Sequence, residues 1–320
     1  MTPIFLFSLP RAGSTLLQRM LNTNHDVYTV PEDWLLLPFV MSLRKTGTVT
    51  NYGHTISTRA IKEFISLLPK KKQDYNNSLR EFVLSLYTKV SPSGTRYFLA
   101  KTPRYYEIID EIARLFPEAK LIFLMRNPIE VFASMLETWS GGTLKASHHF
   151  SRDLLHGTTK LYNGYLKHRT RSLLLSYRDI VTHPQLVAAK LEKYLGITFA
   201  DLQFRNLRSI GKRGSLGDPT GQYRYKKIST EPLQKWHKTI AGSVRKHLAR
   251  KYLLQIPEDV FSYSGVSKAQ VLQEVQQLPN ELQRLFPDLF YYLRGDLITR
   301  FNLNLLMKKE YQWTTQGVLK

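Results

Sequence analysis

Residues 4–17 have the sequence IFLFSLPRAGSTLL, in which an apolar run is followed by a turn and then by a second apolar segment. The first four of these residues are all apolar, which is typical of a buried parallel strand. In residues 14–21 the apolar side chains recur at helical spacing. Pro10 and Gly13 lie between the two segments and favour a tight turn. The stretch therefore predicts a strand, a turn and a helix.

The turn lacks the lysine that is found in the phosphate loop of proteins that bind nucleoside triphosphates. That loop has the pattern G-x-x-x-x-G-K-S/T, whereas residues 8–15 have the sequence SLPRAGST, with Ser14 in place of the lysine. The N–H groups at the helix start still form a cradle for an anion, but the cation that reaches a long phosphate chain is missing. Arg11 supplies a planar donor fork for phosphate or sulfate oxygens. The loop therefore predicts a site for a short anion.

Strands and helices alternate along the rest of the chain. The further predicted strands are residues 27–30, 98–100, 120–125 and 173–177. This alternation predicts an α/β protein with a P-loop-like three-layer fold, in which helices flank a central parallel sheet. We expect residues 1–240 to form the core, with a helical insertion at about 35–95. Residues 241–320 are expected to form a helical C-terminal region packed on this core.

A polar side chain lies at or shortly after the carboxyl end of each predicted strand. These residues are Arg11, Glu32, Lys101, Arg126 and Tyr177. Because the carboxyl ends of parallel strands meet at one edge of a sheet, ligands bind at that edge. The sequence therefore predicts one site to which all five segments contribute.

Two of these segments resemble a known family. Residues 10–17, PRAGSTLL, resemble the 5′-phosphosulfate loop of the sulfotransferases that use 3′-phosphoadenosine 5′-phosphosulfate (PAPS), above all the bacterial members and the protein-tyrosine sulfotransferases. The resemblance implies that the 5′ end of the nucleotide binds to Arg11, Ala12, Gly13, Ser14 and Thr15. Arg126, with Ser134 about two turns into the next helix, is similar to the family's 3′-phosphate motif. We expect this second anion position to lie apart from the first.

Later segments resemble the family more loosely. Residues 212–218, which include Arg213 and Gly214, are similar to a basic, glycine-rich segment that closes over the nucleotide in cytosolic members, although they also suit a plain basic loop. Lys226 resembles a nucleotide-binding lysine of the tyrosine-sulfating enzymes. Tyr177 belongs to a similar tyrosine–acid element, and either contacts the nucleotide or packs in the core.

The resemblance also implies a mechanism. PAPS would donate its sulfuryl group to a hydroxyl or amine acceptor by in-line attack, without a metal. Glu32 stands where the related enzymes carry a catalytic glutamate, and Asp33 is the alternative base. Either carboxylate could instead cap a helix near Trp34. Lys101 is placed to stabilise the leaving 5′-phosphate. Arg104 either adds a contact or faces solvent.

Composition limits the partners and the compartment. The formal net charge is +21 and the isoelectric point is about 10.0, which favours a polyanionic partner: a nucleic acid, a membrane surface, or an anionic nucleotide with an acidic acceptor. The chain has no cysteine, which excludes disulfides, cysteine-ligated zinc and a thiolate nucleophile. The N-terminus lacks the features of a signal peptide, so we expect a cytoplasmic protein without a membrane span.

Two other functions are compatible with parts of the pattern. A small-molecule kinase would have the same fold, but the missing lysine in the loop disfavours it. The segment YRYKK at residues 223–227 would suit a nucleic-acid-binding protein, but no nucleic-acid module is present, and we expect no nucleic-acid partner.

The acceptor is a small molecule, a lipid or a peptide, and contact with a membrane surface is compatible with the charge. The C-terminal apolar side chains either line the acceptor pocket or belong to the core. They are Leu285, Phe286, Leu289, Phe290, Tyr291 and Tyr292.

Overall fold

Parallel strands form the centre of the molecule. The computed structural model describes residues 1–48, 50, 52–199, 207 and 228–301. Within them a sheet has the strand order β2-β3-β1-β4-β5, and each neighbouring pair is parallel. The strands are β1 (Thr2–Ser8), β2 (Val27–Thr29), β3 (Tyr97–Ala100), β4 (Lys120–Met125) and β5 (Ser172–Ser176). Arg213, Gly214 and Lys226 lie outside the described residues.

The central strand β1 is buried on both faces. Its side chains alternate between two apolar clusters, with Phe5 and Phe7 in one and Ile4 and Leu6 in the other. The four residues are fully buried, as the apolar run predicts for a central parallel strand.

Helices cover both faces of the sheet. The first ten are α1 (Ser14–Leu21), α2 (Leu36–Met41), α3 (His54–Leu67), α4 (Lys72–Val90), α5 (Ile109–Leu115), α6 (Pro128–Ser140), α7 (Ser147–Arg152), α8 (Thr158–His168), α9 (Tyr177–Thr182) and α10 (Pro184–Leu195). The apolar faces of α1, α9 and α10 join the cluster around Ile4, whereas those of α5, α6 and α8 join the cluster around Phe5. The predicted α/β class with a parallel sheet between two helical layers is confirmed.

Residues with known preferences for helix starts determine where the two helices after β1 and β4 begin. Helix α1 begins after Gly13, which has a positive φ of 95°. At the start of α6, the side chain of Asn127 accepts a hydrogen bond from the backbone N–H of Ile129, and Pro128 takes the first helical position. Both helices therefore begin at the carboxyl edge of the sheet.

Helices α2 to α4 form the insertion, and among the described residues five more helices, the first of which begins before residue 241, form the C-terminal region. The latter are α11 (Lys235–Ile240), α12 (Ser243–Leu254), α13 (Glu258–Tyr263), α14 (Lys268–Gln277) and α15 (Leu285–Arg300). Tyr252 and Phe261 of this region belong to the same apolar cluster as Phe5 of the sheet. Both predicted helical regions are thus present.

For part of the C-terminal apolar set, the alternative of a place in the core is wrong. Phe286, Leu289 and Phe290 are exposed, and they do not belong to the wall of the cavity described below. Tyr291 and Tyr292 are partly buried and pack against the main apolar cluster. As for membrane-spanning segments, every helix within the described residues is too short or too polar to cross a bilayer.

Candidate functional site

The turn between β1 and α1 has a strained backbone. Arg11 has a positive φ of 64°, a conformation that costs a residue with a side chain about 1–2 kcal/mol. The N–H of Ala12 donates to the carbonyl of Leu9 across the turn, at 3.2 Å. Such strain persists only where surrounding contacts hold it, and it is common at ligand sites. The turn presents the first N–H groups of α1 at the edge of the sheet.

Tyr177 links this turn to Arg126. A Cβ atom on Gly13 would lie 2.2 Å from Cδ2 of Tyr177, so only glycine allows the ring to approach so closely. The guanidinium carbon of Arg126 lies 4.1 Å from the centre of the same ring. Tyr177 is buried, so its ring packs in the core, and it also lines the cavity described below.

Arg126 is held in place on three sides. Its Nε donates to Oε2 of Glu130 at 2.8 Å, its Nη1 to the carbonyl of Arg11 at 2.9 Å, and its Nη2 to the carbonyl of Pro232 at 3.3 Å. Burial raises the pKa of Glu130, and the neighbouring guanidinium of Arg126 offsets part of that effect. The arginine fork is therefore fixed in orientation at the end of β4.

Ser134 lies against the turn rather than away from it. Its hydroxyl accepts a hydrogen bond from Nε of Arg11 at 3.3 Å. Together with the bond from Arg126 to the Arg11 carbonyl, this contact joins the two predicted phosphate motifs. The two predicted phosphate motifs are therefore neighbours in the folded chain. Helix α6 makes this contact, since it starts beside the turn.

A cavity of about 720 Å³ opens over these residues. Gly13, Ser14, Thr15 and Ser134 line it. Among the described residues its wall contains seven basic and only two acidic side chains, Glu130 and Glu137, so the cavity favours an anion. Besides Arg11 and Arg126, the basic side chains are Arg19, Lys235, Lys238, Arg245 and Arg284.

Sequence reasoning missed the C-terminal part of this wall. Arg245 and Arg284 come from segments without a recognisable motif. Glu130 was also missed, although its spacing of four residues after Arg126 is a signal for an ion pair on one helix face.

Glu32 and Lys101 form an ion pair beside the cavity but not in its wall. The ammonium of Lys101 is 3.1 Å from Oε1 of Glu32, and Nε1 of Trp34 donates to the other carboxylate oxygen at 2.9 Å. Lys101 is only 2% exposed. Glu32 follows β2, and Lys101 follows the neighbouring strand β3, which also pairs with β1. The pair therefore lies on the opposite side of the β1 turn from β4 and Arg126.

Asp33 is surrounded by hydroxyl groups. The Tyr87 hydroxyl donates to Oδ2 at 2.5 Å, while Tyr105 and Thr102 donate to Oδ1, each at 2.8 Å. Burial raises the pKa of both tyrosines, and the Asp33 charge raises it further. Helix α2 begins at Leu36 without a side-chain cap. Neither carboxylate therefore caps it, and Asp33 ties the segment after β2 to α4 and to the chain after β3.

Arg104 pairs with a buried carboxylate that sequence reasoning did not identify. Its Nη2 donates to Oδ2 of Asp153 at 2.8 Å, and the Tyr106 hydroxyl donates to Oδ1 of the same residue. Asp153 begins a π-helical turn, Asp153–Gly157, between α7 and α8. Burial raises the pKa of Asp153, and Arg104 opposes that effect. Such a turn leaves no clear signal in a single sequence.

Comparison with known proteins identifies relatives. The sequence model of a group described as the Sulfotransferase family matches residues 3–201, more than half of the 320 residues. The nodulation protein NoeE of Sinorhizobium fredii is 34% identical over 139 residues, which are 42% of this chain and 31% of that protein. Protein-tyrosine sulfotransferase 2 of Gallus gallus is 25% identical over 258 residues, 77% of this chain and 66% of that protein. The chain therefore spans less than two thirds of either relative.

Solved structures share the architecture. A sulfotransferase domain from the curacin biosynthetic pathway superposes with a TM-score of 0.55 at 19% identity, covering 80% of this chain and 99% of that domain. The sulfotransferase domain of a Synechococcus olefin synthase gives a TM-score of 0.51 at 24% identity, with 80% and 96% covered. These likenesses concern the fold.

Proposed function

The chain belongs to the sulfotransferase family, and we propose that it transfers the sulfuryl group of PAPS to a hydroxyl or amine acceptor. One observation carries this proposal. The phosphate loop, which lacks the lysine of triphosphate-binding loops, is joined through Arg11 to Arg126 and Ser134 in a basic cavity. Two anion-binding elements in one cavity suit a nucleotide that has phosphate groups at both its 5′ and its 3′ positions.

The loop would hold the 5′ end of the donor. The N–H groups at the start of α1 and the guanidinium of Arg11 supply donors to phosphate and sulfate oxygens. Because Ser14 replaces the lysine, the cradle suits a short anion, and we expect binding without magnesium. The strained turn keeps these donors in place before the ligand arrives.

Arg126 and Ser134 would hold the 3′-phosphate. The side chain of Arg126 is already oriented by Glu130 and by the ring of Tyr177, so little conformational entropy is lost when it binds. A phosphate would share Arg126 with the buried Glu130 carboxylate. This arrangement would favour the neutral form of Glu130, whose pKa is already raised by burial.

Transfer itself would use the Glu32–Lys101 pair. The acceptor oxygen or nitrogen forms a bond to sulfur, while the bond between sulfur and the bridging oxygen of the 5′-phosphate breaks. The acceptor proton passes to Glu32, and the charge left on the phosphate oxygen is stabilised by Lys101 and Arg11. Because the pair lies outside the cavity wall, the acceptor would approach from the side of the insertion. Donor and acceptor would then meet from opposite sides, as in-line attack requires.

The names of the relatives indicate candidate acceptors, which belong to the proposal. One relative is named for transfer to protein tyrosine, so a phenol is one candidate for this chain. Small-molecule, lipid and peptide hydroxyls or amines all remain compatible with the excess of positive charge. A screen of such acceptors with labelled PAPS distinguishes them.

The proposal is tested by comparing two nucleotides in calorimetric titrations without magnesium. We expect Arg126→Ala to weaken 3′-phosphoadenosine 5′-phosphate by about ten- to a hundredfold, because a charge-assisted hydrogen bond of roughly 1.5–3 kcal/mol is lost. Binding of 5′-AMP, which lacks the 3′-phosphate, should change by less than about threefold.

One control is needed, because Arg126→Ala leaves the buried Glu130 carboxylate without its partner. The double variant with Glu130→Gln removes that charge and should show the same selective loss. Equal losses for the two nucleotides would refute the assignment of the 3′-phosphate site. Tight, magnesium-dependent binding of ATP would support the kinase alternative.

A further inference from the structure

Helix α15 presents an apolar stripe to solvent. Phe286 is 79% exposed, and Leu293 is 52% exposed. The exposed apolar side chains recur three or four residues apart, which places them on one helix face. We call this set the α15 stripe, and it consists of Phe286, Leu289, Phe290, Leu293 and Leu297, with the exposed Leu282 just before the helix and Phe301 just after it. Single exposed apolar residues are ordinary, but a row of five on one helix face indicates an interaction surface.

The opposite face of α15 is fixed to the protein. Asp288, Gly295 and Ile298 are buried there, and the helix packs against α7 and α12. Both oxygens of Asp288 accept hydrogen bonds from Arg245 of α12, at 2.7 and 3.0 Å. The stripe therefore points away from the molecule on a helix whose orientation is set.

The charge of the chain as a whole favours an anionic partner for the stripe. Each acidic residue of α15 is neutralised by an arginine, Asp288 by Arg245 and Asp296 by Arg300. Arg294 adds a further cation to the same helix, and the whole chain has a formal net charge of +21. A partner with negative charge and an apolar interior would satisfy both the stripe and its surroundings.

We propose that the α15 stripe docks on an anionic lipid surface. A helix of 16 residues, about 24 Å long, that has an exposed apolar face can lie flat in the membrane interface with phenylalanine and leucine inserted between the lipids. Arginine side chains reach from the edges of such a helix to the lipid phosphates. A second copy of the chain is disfavoured as the occupant, because two chains of this charge repel each other.

The experiment compares two matched variants of the full chain in vesicle sedimentation. Leu293→Glu places a charge in the stripe, and Leu186→Glu places the same charge on α10 at a residue that is 53% exposed. Vesicles of phosphatidylcholine with phosphatidylglycerol are compared with vesicles of phosphatidylcholine alone. We expect the unchanged chain to bind the anionic vesicles more tightly, and added salt to weaken that binding.

Leu293→Glu should weaken vesicle binding by about tenfold or more, whereas Leu186→Glu should stay within about twofold of the unchanged chain. Both variants should keep the Tm and the nucleotide affinity of the unchanged chain, because both residues are exposed. Absence of vesicle binding, or equal losses in the two variants, would overturn the proposal.

Two further outcomes would assign the stripe to another occupant and equally overturn the proposal. A dimer in light scattering that Leu293→Glu dissociates would identify a second copy. A lower Tm in Leu293→Glu, without vesicle binding by the unchanged chain, would identify a segment of the chain itself.

Discussion

Glu32 and Asp33 are adjacent in sequence but differ in the number and kind of their partners. Glu32 accepts hydrogen bonds from Lys101 and Trp34, so it lies beside the cation proposed to stabilise the leaving group. Asp33 accepts from three hydroxyl groups, one on α4 and two on the chain after β3. These contacts favour Glu32 as the base and a structural role for Asp33, a choice that the sequence left open.

Exchanging each carboxylate for its amide tests this distinction. Glu32→Gln should lower the transfer rate by about 10²–10⁴-fold with little change in nucleotide affinity, because a base acts on the acceptor and not on the donor. Asp33→Asn should instead lower the free energy of unfolding by about 1–3 kcal/mol, since hydroxyl donors lose a charged acceptor. The measurements are turnover per folded molecule and denaturant unfolding. Full activity in Glu32→Gln, with loss in folded Asp33→Asn, would reassign the base.

At the scale of elements, the β1 turn shows how one glycine aligns several groups. Gly13 allows the ring of Tyr177 to pack against the start of α1, and the guanidinium of Arg126 packs on the same ring. The two strand ends after β1 and β4 are therefore coupled through an aromatic side chain from the end of β5. A change in the turn should displace the arginine proposed to bind the 3′-phosphate.

Gly13→Ala measures this coupling, and Gly141→Ala is its matched control. Both glycines have positive φ, but a Cβ on Gly141 meets nothing within 4 Å. We expect Gly141→Ala to cost about 1 kcal/mol for the backbone conformation, and Gly13→Ala to cost at least about 1 kcal/mol more because the ring must move. Only Gly13→Ala should also weaken 3′-phosphoadenosine 5′-phosphate. If denaturant unfolding gave equal losses for the two variants, the proposed packing role of the Tyr177 ring would be wrong.

For the whole molecule, the question is whether the C-terminal helices fold with the sheet. Tyr252 of α12 packs against Phe132 of α6, and the apolar cluster is continuous from the sheet into this region. Arg245 and Arg284 add the C-terminal region to the cavity wall. We therefore propose that residues 241–301 are an extension that unfolds together with the core.

Asp288→Asn tests this cooperativity through the buried ion pair with Arg245. Removing one partner of a buried pair leaves the other charge uncompensated, so we expect a loss of about 3 kcal/mol. Asp296→Asn breaks the exposed pair with Arg300 and should cost less than about 0.5 kcal/mol. In denaturant unfolding, one transition that shifts as a whole supports a single cooperative unit. A shift confined to a separate, smaller transition would indicate an independent domain.

The sequence was sufficient for features that depend on neighbouring residues. An apolar run followed by PRAGSTLL predicted β1, the turn and α1, because burial, turn chemistry and helical spacing are local properties. The same reasoning placed Asn127 and Pro128 at the start of α6. Polar residues after each strand were expected at one edge, because parallel strands end together.

Features that depend on packing between distant segments required the folded chain. Arg11 contacts Ser134, Asp33 accepts hydrogen bonds from α4 and from the chain after β3, and Arg284 of the C-terminal region lines the cavity. The sequence also could not tell that Phe286, Leu289 and Phe290 face solvent, because both faces of α15 are apolar and periodicity does not show which one packs. Contacts of this kind depend on the relative positions of helices and strands, which side-chain spacing within one segment does not specify.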